Sequence, residues 1–125
     1  MSGLTYSSPR AYRNSAVLTA TPERLVVMLY DGARRFLHQA AAATRESQIE
    51  LAHVKLRAAE EIIAHLRETL DFDQGGDISP RLQSLYTFWL AHLMRARFDR
   101  DADKIDQVSA MLGQLRESWA AIETR

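Results

Sequence analysis

The sequence predicts an all-α fold: an antiparallel up-down four-helix bundle preceded by a short, loosely structured N-terminal segment. Three observations carry that expectation. Four segments repeat apolar residues in steps of three and four, as one face of a helix requires. Period-two alternation of β-branched residues, the mark of a half-buried strand, is missing from the sequence. The stretches between the four segments are short, which favours antiparallel neighbours. At 125 residues the chain fits one domain and can bury roughly two-thirds of the surface its unfolded form exposes.

Residues 1–20 are rich in Ser, Thr and Tyr, contain Pro9 and hold no sustained period. They read as a separate segment, ordered where its aromatic side chains find the bundle surface. The bundle is expected over 21–125, with helices at about 22–43, 48–71, 80–98 and 102–123.

Thr21 is a good N-cap, and Pro22 follows at the first helical position, where its missing N–H costs nothing. Leu25, Leu29, Ala33, Phe36 and Ala40 share the expected core face of the first helix. Gly32 interrupts that helix at about 1 kcal/mol relative to Ala, which points to the close approach of a neighbouring helix. Ser47-Gln-Ile-Glu50 reads as a capping box for the second helix. Ile49, Ala52, Leu56, Ala59, Ile63, Leu66 and Leu70 then form a heptad-like seam. The stretch Asp71-Phe-Asp-Gln-Gly75-Gly76-Asp77 is expected to be a loop whose paired glycines supply the positive φ of a chain reversal.

Ser79-Pro80 repeats the cap-then-proline signal and opens the third helix, with Leu82, Tyr86, Trp89, Leu93 and Ala96 as its buried stripe. After the polar break Asp99-Arg-Asp101, the fourth helix carries Ile105, Val108, Leu112, Leu115, Trp119 and Ile122.

Composition narrows the function. The chain has no cysteine, so thiolate metal sites, thiol catalysis and disulfides are excluded. Lys plus Arg and Asp plus Glu both number 16, and the resulting net charge of zero lacks the basic excess of a nucleic-acid binder. The N-terminus shows no charged region followed by an apolar run, and Leu25 to Tyr30 is far too short to insert in a membrane. A cytoplasmic location without membrane insertion is expected. Glu50-Leu-Ala-His53 matches once the Glu-x-x-His string that a di-iron bundle needs twice, and it lies off the seam. Asp71, Asp73 and Asp77 lack the ligand spacing and twelfth-position glutamate of a calcium loop. No phosphate cradle or nucleophile elbow is present, so no catalytic, cofactor or metal residue is assigned.

What remains is an apolar surplus. A bundle helix needs an apolar arc of a little over 100°. Leu51, Val54, Ala58 and Ile62 form a second stripe on the second helix, displaced by roughly 60–140° from Ala59. The third helix adds Leu90, Met94 and Phe98, and the first adds Val27 and Tyr30. Together these exceed what four helices bury against one another. They form the candidate partner-binding residues, suited to receive an amphipathic helix in a groove. A homodimer face, or an adaptor face for another amphipathic partner, leaves the same signature.

The residues also resemble a family. Tyr12, Val17-Leu-Thr-Ala-Thr21-Pro22, Leu25-Val-Val-Met-Leu-Tyr-Asp-Gly32-Ala33 and Phe36-Leu37 open the match. Ala59-Glu-Glu-Ile-Ile63, Leu66-x-x-x-Leu70-Asp71, Gly75-Gly76, Leu82-x-x-Leu85-Tyr86 and Leu115-Arg116-x-x-Trp119 continue it over nearly the whole chain. In combination these strings are similar to the flagellar secretion chaperones that bind flagellin (FliS). The resemblance implies a four-helix bundle without cofactor or ATP. It also implies that the partner is the C-terminal helical segment of flagellin, held so that it neither polymerises early nor loses export competence. It further implies an N-terminal segment that lies against the bundle and competes with, or moves aside for, flagellin, with Tyr6 and Tyr12 either as its anchors or simply packing the tail down. The free form can be a homodimer. Thr21 stands where many relatives carry serine; both residues cap a helix.

Overall fold

Thr21 accepts a hydrogen bond from the Arg24 amide at 3.1 Å, and Pro22 starts helix α1, Pro22–Arg45. The computed structural model describes residues 19–123, so Tyr6 and Tyr12 lie outside the described residues. Helix α2 spans Ile49–Glu68, the single turn α3 Phe72–Gly75, α4 Ile78–Asp99 and α5 Ala102–Glu123.

The expected capping box does not form. The Gln48 amide donates to the Ala43 carbonyl at 2.8 Å and the Ser47 amide to the Thr44 carbonyl at 3.1 Å. This paired closure places Ser47 at φ 58, so Ser47 finishes α1 and does not open α2. Gln48 precedes α2, and its side chain makes no cap bond. The end of α4 repeats the device. The Asp101 amide reaches the Ala96 carbonyl at 3.0 Å, with Arg100 at φ 54. Glycine is the usual occupant of such positions, because a side chain there costs roughly 1–2 kcal/mol.

The acidic loop also differs from expectation. Asp71 Oδ1 accepts from the amides of Asp73 and Gln74, at 3.1 and 3.0 Å, and so closes the turn α3. Only Gly76 of the glycine pair takes a positive φ, 52°. Gly75 is needed for another reason: a Cβ there would run into the Ser79 hydroxyl. Ser79 is buried and donates to the Asp71 carbonyl at 2.8 Å, so it ties the α3 turn to α4 rather than capping α4, which begins at Ile78.

Cross-helix pairs give the topology. Ile62 of α2 lies opposite Gly32 of α1, and Lys55 of α2 opposite Phe36. Asp31, His38 and Arg45 of α1 meet Arg116, Ser109 and the pair Asp103 and Asp106 of α5. Glu60 and Arg67 of α2 meet Arg97 and Thr87 of α4, and His92 of α4 meets Gln107 of α5. Numbers rise on one helix as they fall on its neighbour, so the four long helices run up and down around a square. Helices α1 and α4 occupy one diagonal.

The core follows the stripes expected for α2 and α4: Ala52, Leu56, Ala59, Ile63 and Leu66 face Leu82, Tyr86, Trp89, Leu93 and Ala96. On α5, Ile105, Val108 and Leu112 are buried, Leu115 and Trp119 pack on the core's edge, and Ile122 is exposed. Helix α1 corrects the expectation. Its core residues are Val27, Tyr30, Ala33, Leu37, Ala40 and Ala41, a face turned by roughly 80° from the expected one. Leu29 and Phe36 instead pack at the periphery. Val27 and Tyr30 have no exposed surface, so neither can belong to a partner-binding face. The reason is chemical: the Tyr30 hydroxyl meets the Tyr86 hydroxyl at 2.6 Å in the bundle centre. The stripe that carries a satisfied aromatic therefore turns inward.

Candidate functional site

With Val27 and Tyr30 removed, the apolar surplus divides between two flanks of α2. A Cβ on Gly32 would sit 3.5 Å from Ile62 Cδ1, an ordinary contact that leaves room for alanine. Ile62 thus leans on α1, and Leu51 and Ala58 stand on the same flank at helical spacing. Ala58 and Ile62 are half-buried there, while Leu51 is exposed. Val54 turns further outward and is 58% exposed.

The other flank faces α4. Thr87 and Arg97 of α4 bond across to α2, so Leu90 and Met94, which share their face, also point toward that seam. Leu90 is half-buried. Met94 is 66% exposed, and Phe98, one turn on and turned outward, is 87% exposed. The residues named from sequence therefore do not form one stripe: α2 separates them.

Between the start of α2 and the ends of α1 and α4 lies a groove of ≈ 560 Å³. Ile49, Ala52, Leu56 and Ala96 form its apolar lining, with Val54 at its margin and Glu50, His53, Arg97 and Arg100 as its charged or titratable rim. Arg97 forms the wall. It donates through both terminal nitrogens to Glu60, at 3.0 and 2.7 Å, and through Nε to His53 Nδ1 at 3.1 Å. That fork joins α4 to α2 with partly buried groups on both sides, so it holds the seam at a set width.

A second groove of ≈ 350 Å³ opens at the other end of the bundle, lined by Pro22, Val26, Leu66, Leu70, Ile78 and Trp119 among others. Its charged lining residues are Glu23 and Asp71. Sequence reasoning missed the exposure of Phe72 and Ile78, whose signal was two large apolar residues within an acidic, glycine-containing stretch. It also missed Phe88, half-exposed on α4 and stacked on His92 with ring centroids 5.3 Å apart. Ile49, the first residue of the expected seam, is 40% exposed and lines the larger groove.

The shifted ionisations belong to structure. Burial, foremost, raises the Tyr30 and Tyr86 phenols above their usual value. The Lys104 side chain and amide lower the Asp101 carboxyl, which caps the start of α5. Asp106 and Asp103 raise the Arg45 guanidinium, and Asp31 raises that of Arg116. None of these groups lines the larger groove. Among the described residues, no group of three His, Asp or Glu side chains could hold a metal ion. No helix of the described residues is long and apolar enough to cross a membrane.

An all-helical bundle with large apolar side chains standing outside its core, beside an apolar groove, defines a helical binding protein. The family model described as flagellar protein FliS matches residues 5–125, and the chain belongs to that family, which is one of non-enzymatic flagellar export chaperones. The chain is 35% identical over 106 residues to flagellar secretion chaperone FliSB of Pseudomonas aeruginosa, covering 85% of this chain and 84% of that protein. It is 32% identical over 126 residues to flagellar secretion chaperone FliS of Salmonella typhimurium, covering 97% and 93%. The corresponding chaperone of Campylobacter jejuni is 30% identical over 112 residues, covering 90% and 88%.

Proposed function

We propose that this chain is a cytoplasmic chaperone that binds the C-terminal helical segment of flagellin stoichiometrically. In this reading it prevents premature polymerisation and keeps the segment competent for flagellar type III export. The observation that carries the reading is exposed apolar surface on two neighbouring helices: Ile49 and Val54 of α2 at the larger groove, and Met94 and Phe98 on α4 outside its lining. Polymerisation of a helical segment needs its apolar face. A bundle that covers that face competes directly with self-assembly.

The energetics suit a reversible holder. Covering one large apolar side chain contributes about 1.5–3 kcal/mol, and ordering the client offsets much of the sum. Several anchors spread over α2 and α4 therefore give firm binding without a cofactor or nucleotide, and release needs only that the anchors let go in turn. The family membership and the names of the relatives support the same reading.

Co-purification with flagellin from the same organism tests it. Full-length flagellin is expected to be retained, and flagellin lacking its C-terminal residues is expected to be lost. Equal retention of both forms, or of neither, contradicts the proposal.

A further inference from the structure

The larger groove has one cation with no work inside the fold. Arg97 is engaged by Glu60 and His53, and Glu50 lies in the first turn of α2, where a carboxylate offsets the positive end of the helix. Arg100 also lines the groove, but its guanidinium forms no hydrogen bond or ion pair among the described residues. Its backbone sits at φ 54, the left-handed region that glycine occupies freely. Arg100 is exposed, so its cation stands at the edge of the apolar groove and is open to a carboxylate brought by a partner.

Resting on the client reading above, we infer that this groove takes an acidic amphipathic helix of the client. An apolar side chain of that helix fills the space between Ile49, Leu56 and Ala96, and an aspartate or glutamate one helical turn away pairs with Arg100. The apolar lining supplies the anchor site and Arg100 supplies register. Sliding the helix by one residue would swing the carboxylate by roughly 100° away from the guanidinium. Arg100 is thus a specificity-determining residue of the client surface.

Isothermal titration with the C-terminal segment of the organism's flagellin separates the outcomes. Arg100→Gly relieves the backbone and is expected to raise Tm, yet to weaken binding by about five- to tenfold. Arg100→Glu is expected to weaken binding by more than about tenfold and to flatten its dependence on salt. A role confined to the fold predicts the same higher Tm for the glycine variant but an unchanged affinity. Wild-type binding with unchanged affinity in both variants therefore overturns this inference alone. No binding by the wild-type chain overturns the client reading and the inference with it. A free-form dimer that Arg100→Glu dissociates would assign the groove to a second copy, which also overturns the proposal.

Discussion

The hydroxyls of Tyr30 and Tyr86 meet at 2.6 Å across the diagonal of the bundle, with the rings edge-to-face at 6.4 Å. Trp89 completes the cluster, its ring 5.5 Å from that of Tyr86. The pair joins α1 to α4, two helices that share no side of the square, and so fixes the rotation of both. Replacing either tyrosine by phenylalanine leaves one buried hydroxyl without its partner and is expected to cost about 1–3 kcal/mol. The double replacement should cost less than the sum, which chemical denaturation of the three variants will show.

The same pair sets an alkaline limit. Both phenols are raised in the fold, chiefly by burial, so the folded chain holds protons that the unfolded chain releases near pH 10. The associated stability is fully present below about pH 10 and falls as pH rises above it, by up to about 1.4 kcal/mol per pH unit for each tyrosine. Tyrosinate absorbance of the wild-type chain against its Tyr30→Phe and Tyr86→Phe variants should therefore show each of these two phenols ionising above its usual value.

Ser47 closes α1 at φ 58 and is exposed. Ser47→Gly should stabilise the chain by about 1 kcal/mol, read as a shift of the urea midpoint at constant slope. No change would mean that the turn is already relaxed.

Ile62 and Met94 both belonged to the surplus read from sequence, and their settings now differ. Ile62→Asp would bury a carboxylate against Gly32 of α1, so a loss of about 2 kcal/mol or more is expected in stability. Met94→Asp should change stability by less than about 0.5 kcal/mol and act on client binding instead. Thermal melts paired with client titration check both halves.

These cases show where the residues spoke plainly. The strict three–four steps of α2 and α4 left one apolar stripe dominant, and those stripes are the core. Helix α1 offers two overlapping stripes, Leu25–Phe36 and Val27–Leu37, and periodicity does not rank them. The hydroxyl partnership of Tyr30 with Tyr86, 56 positions away in sequence, decides. Ser47-Gln-Ile-Glu50 has the residues of a capping box, but the carbonyls at the end of α1 claim the Ser47 and Gln48 amides first. The groove was least legible. Its walls come from three helix ends, and Arg97 joins two of them through a contact that no local pattern encodes.

The central claim is that the exposed apolar surface beside this groove holds a flagellin segment one-to-one. Light scattering coupled to size exclusion, run on the chain with and without the flagellin C-terminal segment across dilution, tests it most directly. The account predicts a stable complex of one chain with one segment, lost when the apolar face of the segment is made charged. A tight dimer of this chain whose mass does not change when the segment is added would contradict it.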